Sequence, residues 1–400
     1  MKSGKALIFA ASALALLAAP PAFAAKASQI KIGFITTFSG PPGVIGEDMR
    51  NSVNVALDAL GHKMGGIPVE VMFEDDQAKP EVGKQKAEKL LGKDKVDFLS
   101  GIIFSNVLMA VRKTAVDSGK FLIISNAGAS QIAGNQCDKN IFSTSWQNDQ
   151  IPMAMGEELN SKGVKSLYVV APNYVAGKDM VNGLKRTFKG KIVGQDMTKW
   201  PTQMDFSAEL AKARAAKPQG VFIFYPGSAT VAFIRQYEQA GMQKIPLYSV
   251  FSVDALSLPK LQEAKINAVL GTYDTGFWAV NLDTPGTKKF VAAYKAKYHK
   301  YPSYYGAQSY DSMLLIASAV EAVGGDLSKM DAMRSAMEKA NFESVRGKFT
   351  YNNNHVPIQN IYLNQVVADK DGVWTTSMVR TIYKDHQDPF HSQCPLKKTW

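Results

Sequence analysis

Two short polar segments carry the residue types best suited to hold an anionic group. Residues 101–106 (Gly-Ile-Ile-Phe-Ser-Asn) end one predicted strand and open a helix, and residues 125–130 (Ser-Asn-Ala-Gly-Ala-Ser) follow the next strand. The first turn of a helix presents unpaired backbone amides and the positive end of the helix dipole, which together bind a carboxylate without a lysine or arginine. Ser105 and Ser130 could equally serve only as helix caps, and the sequence leaves both roles open.

The other motifs favour no catalytic chemistry. The glycine-rich loop at residues 38–46 has the spacing G-x-x-G-x-x-G, and its two prolines remove amides that a pyrophosphate would need. The acidic run at residues 74–76 is typical of solvated or capping residues. The five histidines show no H-E-x-x-H or cysteine-paired spacing. The sequence therefore predicts no catalytic residues, no cofactor and no metal.

Length, composition and charge predict a two-lobed globular protein. The chain has 400 residues, of which 46% are hydrophobic and 20% charged, so it can bury a large core and is long for one domain. Its 46 Lys and Arg outnumber its 35 Asp and Glu, yet the lysines are dispersed and no basic run is interleaved with aromatic residues. This charge pattern predicts a solvated surface and argues against a nucleic-acid groove.

The first 24 residues are typical of a secretion signal. Lys2 and Lys5 precede an apolar stretch at residues 6–19, and residues 22–24 (Ala-Phe-Ala) form a small-x-small cleavage site. The apolar stretch is too short to remain as a membrane-spanning helix. We therefore expect cleavage before Ala25 and export of a soluble mature protein.

Cys137 and Cys394 form an even pair in a chain expected to be exported. Because the compartment is oxidising, one disulfide is the expected state. It would close a loop spanning 257 positions, and in the chain-entropy model such a closure stabilises a fold by about 5 kcal/mol. We expect it to tether a C-terminal tail at residues 381–400 to the body of the protein.

Strand-like and helix-like stretches alternate from residue 30 onward. A β-rich run at residues 30–35 is followed by a loop and by residues 48–60, whose apolar side chains recur at helical spacing. The rhythm continues with predicted strands at residues 68–73, 96–99, 121–125, 166–171, 191–197 and 220–225, with predicted helices at 79–92, 106–118, 153–161, 177–188, 206–216, 228–240, 285–299, 309–323 and 328–340, and with a β-rich stretch at 351–379. This alternation predicts an α/β protein with parallel sheets and a ligand beyond the carboxyl ends of the strands.

Short motifs spread over nearly the whole mature chain resemble those of a known family. They are Ile32-Gly33-Phe34, Phe38-Ser39-Gly40, Asp75-Asp76-Gln77, Lys95-Val96-Asp97, Phe104-Ser105, Asp205-Phe206-Ser207, Tyr310-Asp311-Ser312 and Val366. In order and spacing the chain resembles the periplasmic solute-binding proteins of ABC importers, of the leucine/isoleucine/valine-binding type. The resemblance implies the type I fold, with two Rossmann-like lobes, parallel central sheets, three hinge crossings and a ligand cleft between the lobes. It also implies a periplasmic location and a membrane permease as partner.

The resemblance further implies lobe boundaries and ligand anchors. The first lobe would comprise residues 25–146 and 275–348, and the second lobe residues 147–274 and 349–380. Ser105 and the loop at residues 127–129 would hold a ligand carboxylate, and Tyr174 would line the second lobe.

Two departures from the family pattern bear on the ligand. Ala129 stands where amino-acid binders carry a threonine for the carboxylate, and Ala229 stands where they carry a glutamate for the ammonium group. A desolvated ammonium group needs a compensating carboxylate. An α-amino acid is therefore a poor ligand unless another acid, such as Asp254 or Asp274, replaces the missing glutamate.

Aromatic residues are frequent in the loops that face the expected cleft. Flat apolar walls with a few polar anchors suit an aromatic ring, and the chain also resembles the branch of the family that takes up aromatic acids. We therefore predict a small aromatic carboxylate of the benzoate, phenylacetate or hydroxycinnamate kind. The predicted ligand-binding residues are Phe38, Ser39, Phe104, Ser105, Asn126, Ala127, Gly128, Ala129, Tyr174, Tyr225, Gly227 and Trp278.

Three alternatives stay open at this stage. One is a binding protein for branched-chain or aromatic amino acids, and another is a sensing module that presents its closed form to a receptor. The third is an exported α/β hydrolase, which would need a nucleophile and a base within hydrogen-bond reach. We expect a monomer, since no feature of the sequence indicates an obligate oligomer.

Overall fold

The computed structural model describes Met1, residues 27–398 and Trp400, so the predicted secretion signal lies outside the described residues. The strands are β1 (Ile30–Thr36), β2 (Lys63–Met64), β3 (Ile67–Asp75), β4 (Phe98–Gly101), β5 (Phe121–Ile124), β6 (Ile141–Ser143), β7 (Ser166–Pro172), β8 (Lys191–Thr198), β9 (Gly220–Ile223), β10 (Leu247–Val250), β11 (Tyr273–Gly276), β12 (Thr350–Tyr351), β13 (Pro357–Ala368) and β14 (Trp374–His386). The α-helices are α1 (Gly43–Ala59), α2 (Pro80–Glu88), α3 (Ser105–Asp117), α4 (Ser130–Ala133), α5 (Gln150–Ser161), α6 (Val175–Thr187), α7 (Ser207–Ala215), α8 (Ser228–Gln239), α9 (Leu258–Glu263), α10 (Pro285–Tyr298), α11 (Tyr304–Ala322) and α12 (Met330–Lys339). A π-helical turn, Lys89–Lys93, extends α2.

The first sheet has the strand order β2-β3-β1-β4-β5-β6. All its pairings are parallel except the short β2–β3 hairpin. Its inner strands are almost wholly buried apolar runs, such as Phe-Leu-Ile-Ile in β5, as a parallel sheet covered on both faces requires.

The second sheet has the order β12-β13-β11-β10-β9-β7-β8, and β14 pairs with β13. The strands from β11 to β8 are parallel, while β12, β13 and β14 add an antiparallel extension. Because β14 continues to His386, the first residues of the tail expected at 381–400 belong to this sheet. The parallel sheets and alternating elements confirm the predicted fold class.

The chain passes between the two sheets three times. It leaves the first sheet after β6 and enters α5, which packs on α6 and on strands of the second sheet. It returns after β11 to α10 and α11, which pack against α1, and leaves again after α12 for β12. The three crossings are thus residues 144–149, 277–284 and 340–349. We call the body around each sheet a lobe.

A disulfide joins Cys137 to Cys394, as the sequence predicts. The two Cα atoms lie 5.8 Å apart, within the usual range for a disulfide. The C-terminal segment also packs on the loop before β13, where Asn353 Nδ2 donates to the carbonyls of His391 (3.0 Å) and Leu396 (2.9 Å). In the part of the chain that the structure describes, no helix has the length and apolar character needed to cross a bilayer.

Candidate functional site

A pocket between the lobes collects residues that follow the carboxyl ends of strands in both sheets. Its cavity volume in this structure is about 20 Å³, room for roughly one water molecule. Its walls are Ile103, Phe104, Ser105, Asn126, Ala127, Trp146, Asn148, Tyr174, Ala176, Met180, Phe224, Pro226, Phe251 and Tyr305. We call it the interlobe pocket.

Ser105 brings a hydroxyl and a helix N-terminus into this pocket. It is the first residue of α3, and the preceding cap residue, Phe104, makes no side-chain capping hydrogen bond. Ser105 is therefore not the N-cap residue of this helix. With only 1% of its surface exposed, Ser105 offers a hydroxyl beside the unpaired amides of the first turn, an arrangement suited to an anion.

Asn148 is a pocket residue that the sequence analysis missed. Its Nδ2 donates to Ser105 Oγ at 3.1 Å and to Asp179 Oδ2 at 2.9 Å. Its Oδ1 accepts from Trp146 Nε1 at 3.2 Å, which fixes the amide with its donor side toward Ser105. Burial raises the pKa of Asp179. A chain of hydrogen bonds thus runs from α3 through the first crossing to α6 of the second lobe.

Aromatic rings form a large part of the pocket wall, and Trp200 packs behind two of them. Tyr174 stacks on Trp200 with ring centroids 4.8 Å apart, and Phe104 meets the same indole edge-on at 5.0 Å. On the other side Trp146 stacks on Phe251 at 3.8 Å. Trp200 follows strand β8, so the rule that placed Tyr174 at a strand end could also have found it.

The loop at residues 126–129 divides between two cavities. Asn126 and Ala127 line the interlobe pocket, and Asn126 is held by a hydrogen bond from its Nδ2 to the Ile103 carbonyl at 2.7 Å. Gly128 and Ala129 instead line an adjacent apolar cavity behind Trp146. A Cβ at Gly128 would lie 2.5 Å from the Trp146 carbonyl oxygen, so only glycine allows the loop to pack this closely on the first crossing.

Four further predicted site residues, besides Gly128 and Ala129, also lie outside the interlobe pocket. The Tyr225 ring packs on Phe206 at 4.8 Å, and its hydroxyl pairs with Thr198 Oγ1 at 2.7 Å. Trp278 donates from Nε1 to Thr287 Oγ1 at 2.7 Å, which turns its indole toward α10. The others, Phe38 and Ser39, lie in the loop after β1, where Phe38 packs on Phe73 and Ser39 is exposed.

Gly227 lies at a contact between the lobes rather than in the pocket. It has φ +68°, and a Cβ there would lie 3.2 Å from Pro42 Cα of the first lobe. The next residue, Ser228, donates its amide to the Pro41 carbonyl at 3.4 Å. The backbones of the two lobes thus approach each other closely at Gly227.

Replacing Gly227 with alanine is expected to weaken closure and with it ligand binding. Gly241 is a matched control, because it has the same φ of +68° but nothing within 4 Å of its would-be Cβ. Gly241→Ala should lose about 1–2 kcal/mol of stability through its positive φ, and Gly227→Ala should lose more, because its φ of +68° with ψ of −142° lies in a region that essentially only glycine adopts. Only Gly227→Ala should also reduce ligand affinity, as titration calorimetry would show, and equal affinities in the two variants would contradict this role.

Asp254 and Asp274, the acids considered as substitutes for the missing glutamate, face a different cavity. That cavity is also lined by Gly276, Trp278 and Tyr304. Tyr304 packs on both Trp146 and Phe251, so these aromatic side chains stand between the carboxylates and the interlobe pocket. Within the described residues, no group of three or more His, Cys, Asp or Glu is arranged to hold a metal ion.

The chain is similar in sequence to a known protein family and to curated proteins. Residues 29–372 match the family model described as periplasmic binding protein. A curated relative, the Leu/Ile/Val-binding protein homolog 6 of Brucella melitensis, is 31% identical over 377 residues, covering 91% of this chain and 94% of the relative.

Two solved structures of ABC-transporter solute-binding proteins from Rhodopseudomonas palustris are also similar. One, in complex with benzoate, is 30% identical with a TM-score of 0.86, covering 92% of this chain and all of its own. The other, in complex with 3,4-dihydroxybenzoic acid, is 25% identical with a TM-score of 0.84, covering 91% of this chain and 99% of its own. With its two lobes, three crossings and interlobe pocket, the chain belongs to the periplasmic binding protein family of ABC-importer solute-binding proteins.

Proposed function

We propose that this protein captures a small aromatic carboxylate between its lobes and delivers it to the permease of an ABC importer. The observation that carries the proposal is the interlobe pocket itself. It combines aromatic walls with Ser105, Asn148 and the first turn of α3, and its described lining contains no lysine, arginine, aspartate or glutamate. Such a site satisfies a carboxylate through neutral donors and a ring through stacking.

The relatives with bound aromatic acids support this ligand class. The two R. palustris proteins above carry benzoate and 3,4-dihydroxybenzoic acid, and a third, at 25% identity, carries 4-hydroxybenzoate. Each combines one carboxylate with one ring.

A branched-chain amino acid is the second candidate, because the curated relatives are named Leu/Ile/Val-binding protein homologs. Its ammonium group would need a carboxylate within the pocket. Ala229, where amino-acid binders carry a glutamate, is buried, and Asp254 and Asp274 are screened by Tyr304 and its aromatic neighbours. The pocket therefore favours the aromatic acid.

Titration of the mature protein with benzoate, 4-hydroxybenzoate, benzamide, leucine and phenylalanine would test the ligand class. We expect binding of the two acids and none of benzamide, which lacks the charge that the α3 N-terminus attracts. Binding of leucine or phenylalanine in preference to the acids would overturn the proposal.

Substitution of Ser105 by alanine is expected to weaken benzoate binding by about 10- to 100-fold, because a hydrogen bond to a charged group contributes roughly 1.5–3 kcal/mol. Ser207 is the matched control, since it is also the first residue of its helix, α7, but is exposed. The Ser207→Ala protein should bind like the parent. An unchanged affinity in Ser105→Ala would show that the hydroxyl does not contact the carboxylate.

The proposal includes several properties of the mature protein. It acts by binding alone, without a catalytic step, and as a monomer. Its first lobe comprises residues 25–146 and 275–348, and its second lobe comprises residues 147–274 and 349–380. Cleavage of the secretion signal before Ala25 accompanies its export to the periplasm. Mass spectrometry of protein recovered from the periplasm would test the cleavage site, and light scattering with and without ligand would test the monomer.

A further inference from the structure

The cavity beside the interlobe pocket contains two buried carboxylates without a cationic partner. Asp254 follows β10 and Asp274 lies in β11, and both are almost fully buried. Asp254 Oδ1 accepts from the amides of Leu256 and Ser257 and from the Ser257 hydroxyl, and Asp274 Oδ2 accepts from Ser249 Oγ at 2.6 Å. Among the described residues neither carboxylate forms an ion pair. Burial raises the pKa of Asp254 to about 7 and that of Asp274 well above its usual value, and repulsion by the Asp254 carboxylate adds to the rise at Asp274.

The surrounding charges do not compensate this pair. Asp48, the nearest further acid, also repels the charge on Asp254. Asp48 is itself engaged by Tyr294 at 2.6 Å and Ser303 at 2.6 Å, and Lys300 acts electrostatically on Asp48. Two neighbouring charges in a buried site are costly unless a counter-charge joins them.

Two further oxygens at this cavity lack hydrogen-bond partners among the described residues. They are the Tyr304 hydroxyl and Asn364 Oδ1, and both residues line the cavity while being only 9% and 4% exposed. Buried polar atoms are normally satisfied, so an orphaned pair beside two carboxylates indicates a missing partner. Asn364 Nδ2 already donates to the Trp278 carbonyl at 3.4 Å, which leaves Oδ1 as the free acceptor of that amide.

We propose that this cavity beside the interlobe pocket binds a divalent cation that prefers oxygen ligands, of the Ca²⁺ type. Its ligands would be Asp254, Asp274, the Asn364 side-chain oxygen and the Tyr304 hydroxyl. Carboxylates, amide carbonyls and water are the ligands that Ca²⁺ prefers, and two carboxylates balance its charge. Fewer than three acidic groups take part, so neutral oxygens must complete the coordination shell. This cation site is separate from the interlobe pocket and does not depend on the identity of the ligand bound there.

Terbium luminescence tests the site directly, because Tb³⁺ replaces Ca²⁺ and emits when an excited aromatic side chain lies close by. Trp278 and Tyr304 line the cavity. Excitation of the parent protein at pH 8 should therefore produce sensitised emission that Ca²⁺ displaces. Asp274→Asn and Asp254→Asn should each weaken terbium binding at least tenfold, whereas Asp283→Asn, an exposed acid of the second crossing, should leave it unchanged.

Thermal unfolding separates loss of the site from loss of the fold. Without added metal, Asp274→Asn should melt at or above the temperature of the parent, since it removes a buried charge and its repulsion. Added Ca²⁺ should raise the melting temperature of the parent alone. The absence of sensitised emission in the parent, or emission that persists in the Asp254→Asn/Asp274→Asn double variant, would overturn the proposal.

Discussion

Substitution of Arg346 by methionine is expected to destabilise the protein by about 3–5 kcal/mol, because it leaves the Asp311 carboxylate buried without its partner. The two side chains are 4% and 0% exposed, with Arg346 Nε 3.4 Å from Asp311 Oδ2. Arg346 also joins all three crossings. Its guanidinium donates to the Thr144 and Ser145 carbonyls of the first, lies 4.3 Å from the Phe277 ring of the second, and belongs itself to the third.

The pH dependence of the Arg346→Met variant identifies the cause. Burial raises the pKa of Asp311 to about 6, although Arg346 lowers it, and loss of Arg346 should raise it further. A carboxyl whose folded-state pKa exceeds its unfolded value, about 3.9, favours the folded protein at low pH and loses that contribution as the pH rises through the folded pKa. Denaturant unfolding should therefore show the variant close to the parent near pH 4 and furthest from it above pH 7.

Two comparisons make this expectation falsifiable. Arg50→Met removes a half-exposed ion pair with Glu47 and should cost less than about 1 kcal/mol. Adding Asp311→Asn to Arg346→Met removes the unpaired charge and should recover part of the lost stability. A pH-independent loss would show that packing, rather than the stranded carboxylate, dominates.

Loss of the Cys137–Cys394 disulfide is the second large effect that we expect. The bridge spans 257 positions, and removing a native disulfide typically costs 2–5 kcal/mol. The Cys137→Ser/Cys394→Ser protein should therefore unfold at a clearly lower denaturant concentration than the oxidised parent. The interlobe pocket lies away from the bridge, so its ligand affinity should be retained.

The reduced parent is the control for this experiment. If the covalent link provides the stability, reduction should lower the unfolding midpoint to that of the double serine variant, and reoxidation should restore it. A double variant as stable as the oxidised parent would mean that contacts such as those of Asn353 with the C-terminal segment hold the tail without the bridge.

The sequence sufficed for the fold class and for those site residues whose position follows from strand ends. Ser105, Asn126 and Tyr174 each come shortly after a strand, and the carboxyl ends of parallel strands meet at one edge of a sheet. The spacing of apolar residues also predicted the bounds of most helices to within a few residues. It missed short strands such as β11, whose Tyr-Asp-Thr-Gly sequence contains a buried aspartate and no apolar run.

Side-chain direction after a strand could not be predicted. Beyond the end of β9, Phe224 lines the interlobe pocket while Tyr225 enters the core of the second lobe. Successive residues of an extended chain point to opposite sides, so an error of one position reverses the outcome. Trp278 lies outside the interlobe pocket for a related reason, because its hydrogen bond to Thr287, formed only in the folded crossing, sets its direction.

The interleaved path of the chain has a consequence for the order in which it is made. The last strand of the first sheet ends at Ser143, but α11, which packs against α1 and β2, ends at Ala322. A chain that emerges from the ribosome N-terminus first therefore cannot complete its first lobe until the second sheet has largely been synthesised. The order of the elements thus disfavours folding of the first lobe before synthesis is nearly complete. This suits a member of an exported family, which must cross a membrane before it becomes compact.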